Sequence, residues 1–417
     1  MSLAPTSAAP VAGVRLPGFA VFAAMISAAG LPIYIHAPKF YVDEFGVSLA
    51  ALGGVLFVLR LLDFIQDPAL GWLSEKTRHI RASMVSGAVA LLAIAMFGLF
   101  AVTPPIAPMW WFAGMLTVLF SAFSFLTISF YAQGVATAEG LEGQGHLRLA
   151  SWRETGALLG VCAAAVAPTL LMGTDAPFLG FSLGFCLLCL VALVLMRDQW
   201  GAAAAPGEVG FGVVLRDPQA RRLLLLALVN ATPVAVSSTL FLFFVESRLQ
   251  APGMEGPLLL LFFLAAAAAA PMWSRMARRI GAKRALLMAM VLAILAFGGA
   301  ATLGSGDTLW FALVCVGSGA AMGADLTLLP AMFARRMAKI APTAGQAFGL
   351  WSLVTKFTLA FAAVALLPLL EARGFETGTT NPPDALALLT VLYAIVPCAL
   401  KLVAIGLLAA TRIEEEE

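Results

Sequence analysis

The stretch Arg60-Leu-Leu-Asp63-Phe-Ile-Gln66-Asp67-Pro68 lies inside an apolar run from about Ser48 to Leu73. A run of that length can cross a bilayer, which takes roughly 20 apolar residues. Ionisable side chains are costly there and mark a functional site by default. Asp63 and Asp67 are four positions apart, so a helix puts them on one face, and Arg60 joins the same stripe. That face must look at a water-filled path or at partner charges. The competing reading is a purely structural ion-pair cluster.

The composition around this stretch agrees with a membrane chain. Of 417 residues, 61% are hydrophobic and only 12% charged, with a mean hydropathy of +0.95. A soluble domain is usually about half apolar and a quarter charged. The fold class expected is an all-α membrane protein with little soluble mass. Apolar runs fall near 17–36, 48–73, 84–103, 108–134, 150–172, 176–196, 222–245, 256–276, 284–304, 308–333, 347–370 and 385–411. They predict twelve transmembrane helices. Residues 1–16 are rich in Pro, Ala and Ser, and the first apolar run continues as a full span, so no cleavable leader is expected. The net charge of +2 gives no reason to expect nucleic acid. The five cysteines all lie in apolar runs and suggest packing, not disulfides or a metal site. There is no P-loop, HExxH or GxSxG motif, and His36, His79 and His146 are scattered. No catalytic residues, no resident cofactor and no metal are therefore expected. An ion or solute gradient, or a partner subunit, would supply the driving energy.

Charge asymmetry sets an orientation. Basic residues cluster after the second, sixth, eighth and tenth runs (Lys76, Arg78, Arg81; Arg197, Arg216, Arg221, Arg222; Arg275, Arg278, Arg279; Arg335, Arg336, Lys339). By the positive-inside rule both termini are cytoplasmic. The longest hydrophilic interruption, at the middle of the chain, divides it into an N-terminal six-helix bundle (1–196), a linker (197–222) and a C-terminal six-helix bundle (223–417). Pro68 with the basic turn after it recurs six runs later as Pro271 with Arg275, Arg278 and Arg279. Two halves related this way are the plan of the major facilitator superfamily. The acidic tail Glu414–Glu417 is read as a solvated end.

Other spans carry polar groups. In span 4, Ser124, Thr127 and Tyr131 share a face. Arg153 opens span 5 and either snorkels to the interface or reaches a cavity. Lys356 lies too deep in span 11 to snorkel and needs an anionic partner. Asp63 and Asp67 are the first candidates and Asp325 in span 10 the next. Lys401 in span 12 is read as reaching the cytoplasmic interface.

Arg60-x-x-Asp63-x-x-x-Asp67-Pro68 followed by Gly71-Trp72 resembles helix 2 of the glycoside-pentoside-hexuronide:cation symporters, the melibiose-permease branch of that superfamily. Phe40-Tyr41-Val42-Asp43, Arg153 and Lys356 extend the likeness. The resemblance implies that Asp63 and Asp67 bind a coupling cation, H+ or Na+, with Gln66 and Ser124 beside them. It also implies that Thr127, Tyr131, Arg153 and Lys356 line the substrate cavity. Arg60 and Asp325 complete the expected charge network. The departures are specific. Span 1 has no acid, Thr127 stands where sugar transporters place a carboxylate, and Gln66 stands where sodium-using members have Asn. The expected cation site is kept and the sugar grip is lost. The expected protein is a cation-coupled symporter of a small polar solute, monomeric, in the bacterial inner membrane. The alternatives are a copper- or riboflavin-importer-like member and an uncoupled facilitator. No paired MxxxM and HxxxM motifs occur in spans 7 and 8, which counts against copper.

Overall fold

The computed structural model describes residues 14–141, 144–200, 210–341, 343–375 and 381–411. The N-terminal Pro/Ala/Ser segment up to residue 13, residues 201–209 of the linker and the acidic tail lie outside the described residues.

Every apolar run forms helix, because a backbone in lipid must satisfy its own hydrogen bonds. The first run is broken. Helices α1 (Leu16–Ala28) and α2 (Leu31–Phe45) meet at Ala29-Gly30, with Pro32 in the opening turn of α2. The next is α3 (Leu49–Lys76), whose first turn is capped by Ser48 Oγ accepting from the amide of Ala51 at 3.1 Å. Then follow α4 (Arg81–Phe100), α5 (Pro108–Glu139), α6 (Gly145–Leu170) and α7 (Pro177–Met196). A short α8 (Phe211–Arg216) precedes α9 (Pro218–Phe243), which runs on into a π turn, Phe244–Arg248. The chain continues through α10 (Glu255–Ile280), α11 (Ala282–Ala300), α12 (Thr308–Ile340), α13 (Gly345–Glu371) and α14 (Pro383–Thr390). A second π turn, Val391–Ile395, joins α14 to α15 (Val396–Ala410). No strand occurs among the described residues.

Eight helical stretches among the described residues are long and apolar enough to cross a membrane, so the chain is a multi-pass membrane protein. Helices α3, α6 and α13 are of similar length, at 28, 26 and 27 residues.

The packing uses small residues where helices touch. Gly156 and Gly160 of α6 lie against α1. A Cβ on either would meet the carbonyl oxygen of Ala20 or Ala24 at 2.1 or 2.3 Å. Gly319 and Gly323 of α12 repeat the spacing against Phe262 and Ala266 of α10. Lipid tails are as apolar as leucine, so close van der Waals contact is what holds such pairs together. One apolar cluster is drawn from residues 19–200 and another from 235–394. A third, from residues 128–408, joins them.

Contacts between these groups gather at the basic end. The Glu75 carboxylate accepts from Thr343 Oγ1 and from the amide of Gln346 at 3.2 Å. Ser274 Oγ donates to the carbonyl of Leu147 at 3.0 Å. Gln346 in turn accepts from the amide of Phe211 at 2.9 Å. At the same end Asp217 caps α9, accepting from the amide of Ala220 at 2.7 Å, and pairs with Arg336 of α12. That guanidinium holds the Asp217 carboxyl below the usual carboxylate range.

Two outcomes follow for stability. Gly160→Val drives a branched side chain into the α1 backbone and should cost about 1–3 kcal/mol in thermal unfolding, whereas Gly54→Ala, with open space around it, should cost nothing measurable. Asp217→Asn keeps a good cap but removes the charge. A depressed folded pKa stabilises above the unfolded value and loses that contribution as pH falls through the folded one. The variant should therefore melt below the wild type at neutral pH, and the gap should close as pH drops below about 3.9.

Candidate functional site

Helix α3 presents Asp63 and Asp67 on one face, as a spacing of four requires. Both are buried, Asp67 completely. Lys356 reaches them from α13. Its Nζ lies 3.0 Å from Asp67 Oδ2 and 3.7 Å from Asp63 Oδ2. The ammonium also donates to Ser124 Oγ of α5 at 2.7 Å, and Ser352, one turn before Lys356, donates to Asp67 Oδ2 at 2.5 Å. Gln66 turns its amide nitrogen to Asp63 at 2.8 Å, while its oxygen accepts from Ser121 at 2.9 Å. The side chain of Arg60 lies outside the described residues. Five of the residues picked from sequence (Asp63, Asp67, Gln66, Ser124 and Lys356) thus meet at one point.

The helices can approach because their contact is glycine-lined. A Cβ on Gly349 would lie 3.0 Å from the Asp67 carbonyl, and one on Gly71 would lie 2.9 Å from that of Gly345. Pro68, which has no N–H to donate, sits at this crossing. Burying a charge without a partner is prohibitive, so α3 and α13 are tied together by electrostatics as well as by fit.

A cavity of about 330 Å³ lies beside this cluster, lined from α5, α9, α12 and α13. Thr127 and Tyr131 border it. The Thr127 hydroxyl donates back to the Phe123 carbonyl at 2.8 Å, so only its methyl and its acceptor lone pairs are left for the cavity. Tyr131 donates to Glu154 at 2.9 Å, and the Arg153 guanidinium stacks over its ring at 3.6 Å. Arg153 Nε bonds the same Glu154 carboxylate at 2.7 Å, with both side chains buried. Arg153 is therefore not at the interface. It braces Tyr131 from behind and is not among the cavity-lining residues.

Lys356, like Arg153, is not among the cavity-lining residues, and two other sequence readings need correction. Lys401 does not snorkel: it is buried, ion-paired with Asp325 of α12, and donates to Asn230 of α9 at 2.7 Å. Asp325 accordingly pairs with Lys401, not with Lys356. Glu154 and Ser352 were missed. The signal for Glu154 was an acid inside an apolar span, next to the arginine that drew attention. Ser352 is four residues before Lys356 and had to share its face.

Lys356→Ala should leave Asp67 buried beside an empty space and cost on the order of 3–5 kcal/mol in thermal unfolding. Adding Asp67→Asn to that variant removes the stranded charge and should recover much of the loss.

With the geometry in place, the chain can be compared with known proteins. The family model described as MFS/sugar transport protein matches residues 16–415. The inner membrane symporter YicJ of Escherichia coli K12 is 26% identical over 246 residues, covering 53% of this chain and 51% of that protein. The chain thus spans about half the length of the curated relative it matches. Among solved structures, a bacterial homologue of the iron transporter ferroportin, in an outward-facing state, superposes with a TM-score of 0.71 at 16% identity. That match covers 95% of this chain and 99% of the other. The E. coli fucose:proton symporter superposes with a TM-score of 0.64 at 14% identity, over 93% and 98% of the two chains. At such identities these two speak for the fold alone.

Proposed function

We propose that this chain is a cation-coupled symporter of a small solute, and the premise is that it belongs to the MFS/sugar transport protein family. As members of that family the chain and its relatives are transporters, not enzymes. The observation that carries the coupling is the Lys356 ammonium lodged between Asp63 and Asp67.

The arrangement supports twelve spans in two six-helix halves, residues 1–196 and 223–417, with α3 in the first and α13 in the second. The basic end is cytoplasmic by the positive-inside rule, in a bacterial inner membrane. The contacts of Glu75, Thr343, Gln346 and Ser274 then close the cytoplasmic side. The central cavity belongs to the opposite access state.

Coupling works by exchange. A cation arriving at Asp63 and Asp67 takes over the charge that Lys356 now balances. The lysine is freed from α3, and the link between the halves loosens. Solute in the cavity beside Thr127, Tyr131, Ser352 and Trp351 senses the same α13 and can bias the same equilibrium. Tyr131 is fixed for contact by Arg153 and Glu154. Protons are favoured over sodium. A sodium ion wants several oxygens, and Gln66 offers the pair a nitrogen. A second reading, an uncoupled facilitator whose Lys356–Asp67 pair is only a lock, draws on the same ion pair.

The test is uptake into proteoliposomes of a solute found by ligand-induced thermal shift, under an imposed proton or sodium gradient. Wild type should concentrate solute with the proton gradient. Asp63→Asn and Asp67→Asn should still equilibrate it but no longer concentrate it above the outside level. Accumulation that survives in both variants selects the lock.

A further inference from the structure

A second cavity, of about 370 Å³, lies among α9, α10, α11, α12 and α15. It runs from Glu255, at the start of α10, to the Asp325–Lys401 pair. Its walls are largely aromatic and aliphatic: Phe241, Leu259, Phe262, Phe297 and Phe311, with Tyr393 from the π turn before α15. Tyr393 stacks on Phe244 of the other π turn with ring centroids 4.2 Å apart. Both irregular turns, a common mark of functional sites, therefore meet at this wall.

The polar end is unfinished. Lys401 holds one carboxylate oxygen of Asp325 and also Asn230. The other oxygen, Oδ1, is buried and has no hydrogen-bond partner, although the Asp325 side chain is nine-tenths buried. Asp325 and Lys401 both line the cavity, so this carboxylate is the acceptor at its polar end. Val234, Ser238, Met322 and Asp325 line both this cavity and the central one, so the two share a wall.

We propose that this cavity is a second ligand subsite, taking an uncharged, largely apolar molecule whose single hydroxyl or N–H donor bonds the Asp325 carboxylate. The charge restriction comes from Lys401. The pair is already neutral, and a charged ligand would bring an unbalanced third charge into an apolar pocket. The inference rests on the transport reading and narrows its solute to an amphipathic one.

The test uses 2-naphthol, followed by its own fluorescence, with protein in nanodiscs and empty nanodiscs subtracted. Wild type should bind 2-naphthol, and should bind 2-methoxynaphthalene and 2-naphthoate about tenfold or more weakly, since one lacks the donor and the other carries a charge. Ala293→Phe, which fills the apolar wall without touching the ion pair, should weaken 2-naphthol by a similar factor. The double variant Asp325→Leu/Lys401→Leu removes both charges together, leaving none stranded, and should lose the preference for 2-naphthol over its methyl ether. Equal binding of naphthol and ether to wild type, no specific binding at all, undiminished binding to Ala293→Phe, or a preference kept by the double variant would each overturn the proposal. Asp67→Asn separates the two readings. It should retain 2-naphthol binding while losing proton-driven accumulation, so failure of coupling and failure of the subsite show in different measurements.

Discussion

The whole molecule depends on one electrostatic constraint: Asp67 is fully buried, and its charge is balanced by a lysine from a helix almost 290 residues further along the chain. A carboxylate in that position cannot stand alone. Wherever α3 goes, α13 must follow, unless another cation takes the place of Lys356. The glycines at the crossing of the two helices make the approach possible, and the charges make it conditional. A contact that is conditional on a cation is what a coupled transporter needs between its moving parts.

The remainder of the structure arranges itself about that contact. The basic end is fastened by hydrogen bonds such as Ser274 to Leu147 and by Glu75 with Thr343 and Gln346. The Ser274 bond is neutral, whereas Glu75 is itself a buried carboxylate, whose lost bonds water must replace when that end opens. The Arg153–Glu154–Tyr131 group is different in kind. Its members belong to neighbouring helices α5 and α6, and it holds an aromatic side chain rigid at the cavity edge. The second buried pair, Asp325–Lys401, stays within α12 and α15, so its charges do not bridge α3 and α13.

Much of this was legible in the sequence, for a physical reason. Charges in apolar runs are rare because they are expensive, so Asp63, Asp67 and Lys356 stand out, and their mutual need for compensation suggests their pairing. Helix length was equally plain, since lipid permits little else. What escaped was depth. Lys401 lies nine residues before the end of α15, and counting from that end suggests an interface; counting from Pro383 places it deep in the bundle. The break at Ala29-Gly30 had its glycine and proline as signals. The π turns at Phe244–Arg248 and Val391–Ile395 had none, because a single extra residue per turn leaves the hydrophobic pattern almost unchanged.

The central claim is that occupancy of Asp63 and Asp67 governs the contact between the halves. Spin labels at His79, before α4, and Arg279, near the end of α10, would report on the basic end from either side. Pulsed-EPR distances between them, in nanodiscs, should lengthen as the carboxylates are protonated at lower pH. They should already be long, and insensitive to pH, in Asp67→Asn. A distance distribution that stays the same across pH, with and without sodium, and in Asp67→Asn would contradict the account and leave the Lys356–Asp67 pair as a fixed strut.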